Sequence, residues 1–231
     1  MTLSIRLSIN ILKRIKNLQA KKFYKFGGNK MDIANAFTDG WNIYSKNFIT
    51  IILSFLVAAF LSIVTIGVLA IPLFTGFQML FVKAKRGGEI ELKNIFDPLN
   101  NFSNLILAGL IMAALAAAVY FVPMIFIFLN LTAVYSLLYF VGLLFLVYIF
   151  ICWIFAFLLI QDKTMGYKEA LKASRDLVLK NNFWIHLIFL VLLGVIGGIA
   201  RVIPVLSIIF IPLAFSYIHG VLACAYADEV K

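Results

Sequence analysis

Between residues 102 and 160 the chain carries no charged side chain. A helix that crosses a bilayer needs about 17–25 mainly apolar residues, so this run is long enough for two spans. Asn130-Leu131-Thr132, near its middle, supplies an outer turn. Two further runs behave alike: residues 48–82 have no charge, and residues 183–227 have Arg201 alone. A soluble domain is close to half apolar and about a quarter charged. Here 64% of residues are hydrophobic and 13% charged, and the mean hydropathy is +1.04. The excess is concentrated in long runs, which excludes a soluble core and marks an integral membrane protein.

Charge then orients the spans. The formal net charge is +10, which in a soluble chain would suggest nucleic acid. Here Lys and Arg flank the apolar runs, the pattern of a cytoplasmic face, so no nucleic-acid partner is expected. In the 48–82 run, Gly67 and Pro72 punctuate the sequence. One crossing would put the basic 83–93 segment outside, whereas two short crossings turning near Gly67 keep it inside; a re-entrant hairpin is the alternative. Six spans follow, at about 48–66, 68–83, 103–128, 133–160, 183–200 and 203–226. With both termini cytoplasmic, every Lys and Arg except Arg201 falls inside. The expected fold is an all-α integral membrane protein in the cytoplasmic membrane of a prokaryote.

The polar segments between the runs read as surface structure. In the charged island 161–182, Tyr167, Ala170, Leu171, Ser174, Leu177 and Val178 share one helical face, and Glu169/Lys172, Lys172/Asp176 and Asp176/Lys180 are spaced to pair on the others. This is an amphipathic helix at a membrane surface. Residues 31–47 form a second, with Ile33, Phe37, Trp41 and Tyr44 as its apolar stripe. In 83–101, Arg86-Gly87-Gly88 and Asp97-Pro98 are turn signals. Residues 1–30 hold eight Lys or Arg and no acid. They form either a basic surface helix or, as the favoured expectation, an extension ahead of a true start at Met31. The second reading rests on Gly27-Gly28-Asn29, whose codons can spell a purine-rich ribosome-binding sequence. Lys13, Arg14 and Lys16 interrupt any signal-peptide core. The membrane domain proper is residues 31–231.

A faint internal repeat runs through these parts. Asn-Phe begins each apolar run, at Asn47-Phe48, Asn101-Phe102 and Asn182-Phe183, and Ile71-Pro72-Leu73 returns as Ile211-Pro212-Leu213. The implied unit is a cytoplasmic segment followed by a helical hairpin, repeated three times in parallel.

Gly40-Trp41, Ile71-Pro72-Leu73 with Gly76, Lys85-Arg86-Gly87, Phe96, Trp153 with Phe155, Asp162, Glu169-Ala170-Leu171, Ser174-Arg175, and Ile211-Pro212-Leu213 near Ala225-Tyr226 together carry a resemblance. Over about residues 32–227 the chain resembles a group of uncharacterised prokaryotic polytopic membrane proteins, similar to the membrane domain found ahead of some glycerophosphodiester phosphodiesterases. The resemblance implies a bundle of about six helices with cytoplasmic amphipathic helices. It implies no activity, because the acid- and histidine-rich catalytic domain has no counterpart here.

Within the spans, Gln78 and His219 stand at nearly corresponding repeat positions. They read either as a shared polar pocket or, the more common case, as a pair of interhelical hydrogen bonds. Lys83, Lys85, Arg86, Arg175 and Arg201 are candidate contacts to lipid headgroups. Cys152 and Cys224 lie in apolar runs and are expected as packing residues, and His186 as an interfacial one. Gly194 and Gly198, like Gly109, Ala113 and Ala117, make small faces suited first to packing within the chain and second to dimerisation. No nucleophile–base pair or metal spacing is visible, so neither catalytic residues nor cofactors are expected. The function expected is that of a non-enzymatic scaffold or accessory protein, binding lipid, a protein partner or a second copy through its surface helices. The alternative is a transporter or channel for a small neutral or amphipathic molecule. A lipid-modifying enzyme ranks third.

Overall fold

The computed structural model describes residues 31–200 and 204–230, and the side chains of all of these but 204–208. Among the described residues the regular structure is helical throughout. Helix α1 (Ile33–Lys46) is followed by α2 (Phe48–Val64) and α3 (Ala70–Lys85). A 3-10 helix, η1 (Leu92–Asn101), leads into α4 (Phe102–Phe128), which pairs with α5 (Thr132–Cys152). Short α6 (Ala156–Asp162) and α7 (Tyr167–Lys180) precede α8 (Phe183–Ile199) and α9 (Pro204–Glu229).

Three segments are long and apolar enough to cross a membrane: Leu92–Phe128, Thr132–Asp162 and Ile209–Glu229. The number rises to five if α1 with α2, and α7 with α8, each count as one bent span. Helix α3, with 16 residues, is about 24 Å long and is not among them.

The turns fall where glycine and asparagine allow them. Between α2 and α3, Ile66 and Gly67 both take positive φ, 51° and 83°, a backbone region that costs glycine nothing. Asn130, φ 56°, turns α4 into α5. Each recurring Asn-Phe pair is a helix start, since Asn47, Asn101 and Asn182 are the cap residues of α2, α4 and α8. Asn182 also closes its helix with its own side chain, whose oxygen accepts from the Trp184 amide at 3.0 Å. At these junctions α1 meets α2 at 94° and α7 meets α8 at 100°.

The surface helices bury the faces their sequences carry, with one rotation. Ala170, Leu171, Ser174, Leu177 and Val178 of α7 are buried as expected, with Ala173 beside them. On α1 the buried face is Ala36, Gly40 and Tyr44, whereas Trp41 is 58% exposed. Close approach decides this: a Cβ at Gly40 would stand 2.9 Å from Val221 Cγ2, so α9 seats on the small residues and the larger ones flank it.

Two further features depart from the sequence reading. Asp97-Pro98 does not turn the chain but lies inside η1, where Pro98 is buried; the fixed proline φ is compatible with 3-10 geometry. The expected span 133–160 lies within one segment long enough to cross, Thr132–Asp162, but its helix breaks at residues 153–155. The Ser174 hydroxyl donates to the Cys152 carbonyl at 2.8 Å and accepts from the Phe155 amide at 3.2 Å. It thereby satisfies backbone groups that the interruption leaves without a helical partner.

The core lies among α3, α9, α6 and α7. Phe77, Phe81, Leu80, Leu73, Phe155 and Tyr226 are fully buried there. Gly76 permits the approach of η1, because a Cβ on it would overlap the Ile95 carbonyl.

Candidate functional site

The polar side chains gather into two groups, one between helices and one at the end where α1, α3, α6 and α9 converge. In the first, Gln78 Nε2 of α3 and His219 Nδ1 of α9 stand 2.8 Å apart. The His219 ring stacks on Phe74, with centroids 5.4 Å apart, and meets Phe77 edge-on at 6.3 Å. The two residues singled out as a polar pair therefore meet, and each spends a polar group on the other inside an aromatic frame.

The second group is ionic. Arg86 forks onto Asp162: Nη1 donates to Oδ1 and Nη2 to Oδ2, the latter at 3.0 Å. Tyr226 donates to the same oxygen at 2.9 Å, and Lys163 lies 3.3 Å from it. The hydrogen bonds that Arg86 donates to Asp162 hold its guanidinium above its ordinary pKa, outweighing partial burial. Lys85 bridges Asp39 of α1, at 2.9 Å, and Asp228 of α9, and also reaches the Cys224 carbonyl at 3.2 Å. Three helices distant in sequence are thus tied at one end by two cations.

Beside this lies a fully enclosed set. His186 Nε2 is 2.8 Å from Glu229 Oε1, and both side chains have zero exposure. Asn181 donates to the other Glu229 oxygen at 3.1 Å. His186 Nδ1 lies 3.0 Å from the Asn182 carbonyl, which can only accept, so Nδ1 carries a proton. One further proton lies between Nε2 and Oε1, and the charges of the pair cancel whether nitrogen or oxygen holds it. Both carboxylate oxygens are engaged, which is what a buried acid requires.

The candidate headgroup contacts separate accordingly. Lys85 and Arg86 are committed to carboxylates of the chain. Lys83 is exposed and reaches Asn94 Oδ1 at 3.1 Å. Arg175, 51% exposed, stands on the outer side of α7, 3.5 Å from Asp176. Arg201 lies outside the described residues. Cys152 and Cys224 are free and buried. Gly109 packs against Ile71, whereas a Cβ at Gly194 or Gly198 would meet nothing within 4 Å.

His186 and Glu229 escaped the sequence reading, which placed one at a membrane boundary and the other in a polar tail. Simple antiparallel register about the turn near residue 201 would set His186 opposite Tyr217. The actual partner lies about three helical turns further along α9, and no periodicity in either helix announces that crossing.

Among the described residues, three surface cavities bear on the site. One of about 490 Å³ lies between the end of α1 and the loop after α3, lined by Asn42, Lys46, Asn47, Glu89 and Ile90 among others. One of about 270 Å³ lies across that loop, near Lys83, Arg86 and Gln161. The third, about 390 Å³, is apolar, with Trp41, Tyr44, Phe48 and Tyr217 on its walls. Comparison with known proteins gives no matching family model, no matching curated protein and no matching solved structure.

Proposed function

We propose that this chain is a non-enzymatic membrane module that binds lipid, or an accessory partner, through its surface helices. The observation that carries the reading is how most of the polar groups between helices are used, the buried Ser54 hydroxyl, which has no partner among the described residues, being the exception. Gln78 and His219 bond to each other, Ser216 bonds to Tyr44, and Ser62 and Thr75 bond back to their own helices. A permeation path needs such groups turned toward a solute; here they are spent on packing. The outer side of α7, by contrast, exposes Lys168, Lys172, Arg175 and Lys180. Basic residues near an anionic surface contribute about 1 kcal/mol each.

The topology proposed with this function is six crossings with both termini cytoplasmic, in a prokaryotic cell membrane. The near-right-angle bends at α1–α2 and α7–α8 support it, since a helix lying in the interface must turn by about that much to enter the bilayer. The likeness to the membrane domain of glycerophosphodiester phosphodiesterases belongs to the same proposal, and an activity does not follow from it.

Native mass spectrometry of the protein released from native-membrane nanodiscs tests the reading. Retained phospholipid or a co-released subunit, lost when Lys168, Lys172 and Arg175 are changed to Glu, is the expected result. A discrete non-lipid solute held by the wild type and lost in Gln78→Leu and His219→Leu would replace the proposal with transport.

A further inference from the structure

The 490 Å³ cavity between α1 and the loop after α3 is bounded by residues that mark the limits of an apolar run. Asn47 immediately precedes Phe48, where the uncharged stretch 48–82 begins, and Ala84 and Gly87 follow its end. The cavity therefore stands at the level where hydrocarbon gives way to headgroups. On α2, which starts next to the lining residue Asn47, Ile49, Leu53, Leu56 and Phe60 are exposed, at spacings that form one stripe.

Its polar lining carries both signs of charge. Lys46 and Glu89 face the cavity, and neither has an ionic partner among the described residues. Asn42 has a free side-chain amide. The Asn47 amide nitrogen donates to the Ile43 carbonyl at 3.1 Å, which leaves its side-chain oxygen available as an acceptor. The backbone N–H groups of Glu89 and Ile90 donate to no group among the described residues. The cavity thus offers an ammonium with amide donors for an anion, and a carboxylate with an amide oxygen for a cation.

We propose that this cavity holds the headgroup of a zwitterionic phospholipid whose phosphate is joined to a primary ammonium. Lys46, Asn42 and the loop amides take the phosphate, and Glu89 with Asn47 takes the ammonium. The acyl chains lie along the Ile49–Leu53–Leu56 stripe. A purely anionic headgroup would set a negative charge against Glu89. A choline headgroup has no N–H to donate to it. This inference rests on the lipid-binding reading above and names the lipid class for one cavity.

The test is the lipid retained by the full chain after extraction from nanodiscs of equal phosphatidylethanolamine, phosphatidylglycerol and phosphatidylcholine, read by native mass spectrometry. The wild type is expected to retain phosphatidylethanolamine over either competitor by about fivefold, the scale of one partly exposed ionic contact. Glu89→Gln is expected to abolish that preference, and Lys46→Met to weaken retention of phosphatidylethanolamine and phosphatidylglycerol together. Ser136→Ala, on α5, is expected to leave the preference unchanged. Equal retention of the three lipids by the wild type, or a preference that survives Glu89→Gln, overturns the inference. Retention of phosphatidylglycerol alone overturns it while leaving lipid binding by the surface helices intact, and retention of neither a lipid nor a protein partner removes both. Thermal melts of each variant, whose altered side chains are exposed, separate lost binding from lost folding.

Discussion

Helices α3 and α9 are far apart in sequence and closely joined, whereas α4 and α5 are adjacent in sequence and carry little of the core. The α3–α9 pair holds Gln78 against His219, Phe81 against Gly220, and Lys85 against Asp228. Helix α4 buries only Leu105, Ala108 and Pro123, and α5 only Ile151 and Cys152. In the most apolar stretch of the α4 segment 11% of residues are buried, against 39% in that of α9 and 39% in the segment where α5 continues into α6. Yet the segments that hold α4 and α5 are more apolar than that of α9. Hydropathy measures compatibility with lipid, and lipid satisfies an apolar side chain as well as a protein core does. What draws α3 and α9 together is the close approach that glycine permits and the polar atoms that have no partner in hydrocarbon.

This contrast can be broken most directly at the α9 end. His186→Leu leaves the enclosed Glu229 Oε1 without its hydrogen-bond partner. It is expected to destabilise the fold by about 3–5 kcal/mol, as read from thermal unfolding in detergent. Ser136→Ala, which removes an exposed hydroxyl bonded only to its own helix, should stay within about 0.5 kcal/mol. Equal losses would show that α5 is as tightly held as α9.

Glycine substitutions sharpen the same point. Gly76→Ala drives a Cβ into the Ile95 backbone and is expected to cost about 3 kcal/mol. Gly142→Ala, in α5, meets the Val119 side chain, with Cγ1 at 2.7 Å, but no backbone atom, and should cost less than Gly76→Ala. The same melts check both. A third change tests the interruption between α5 and α6. Ser174→Ala removes the hydroxyl that serves Cys152 and Phe155 and is expected to cost about 1–2 kcal/mol, with faster hydrogen exchange at the Phe155 amide.

The smallest effect lies in the segment joining the two hairpins. The Lys93 ammonium, by hydrogen bond and then by charge, holds the Glu91 carboxyl below its ordinary pKa. Because the folded value is the lower one, the stabilisation is present at neutral pH and is lost as pH falls through that value. Lys93→Met should raise the Glu91 midpoint toward the ordinary carboxylate range in an NMR titration, with no measurable change in melting at pH 7.

Much of this was legible in the chain. Uncharged runs located the helices, Asn-Phe pairs located their starts, Gly67 and Asn130 located turns, and the periodicity of 167–178 located the buried face of α7. Each is a local signal, set by hydropathy, by backbone freedom or by a repeat of about 3.6 residues. The site was legible in part. Gln78 and His219 were paired by their place in a repeat, and the structure brings them together, bonded to each other. Lys85 and Arg86 were visible as basic residues, but their carboxylate partners come from helices distant in sequence. The rotation of α1 onto Ala36 and Gly40 was hidden because side-chain size at a contact matters only once the facing helix is known.

The amino-acid sequence by itself determined that this chain is helical, that several of its segments are long and apolar enough to cross a membrane, and where most of them begin. Those properties follow from the cost of placing charges and unpaired backbone groups in hydrocarbon, a cost each segment meets alone. Only the tertiary structure decided which helices form the core, which charges neutralise each other and that Lys46 and Glu89 face one cavity. Those outcomes depend on distances between segments remote along the chain, and they are set by packing that no single segment specifies.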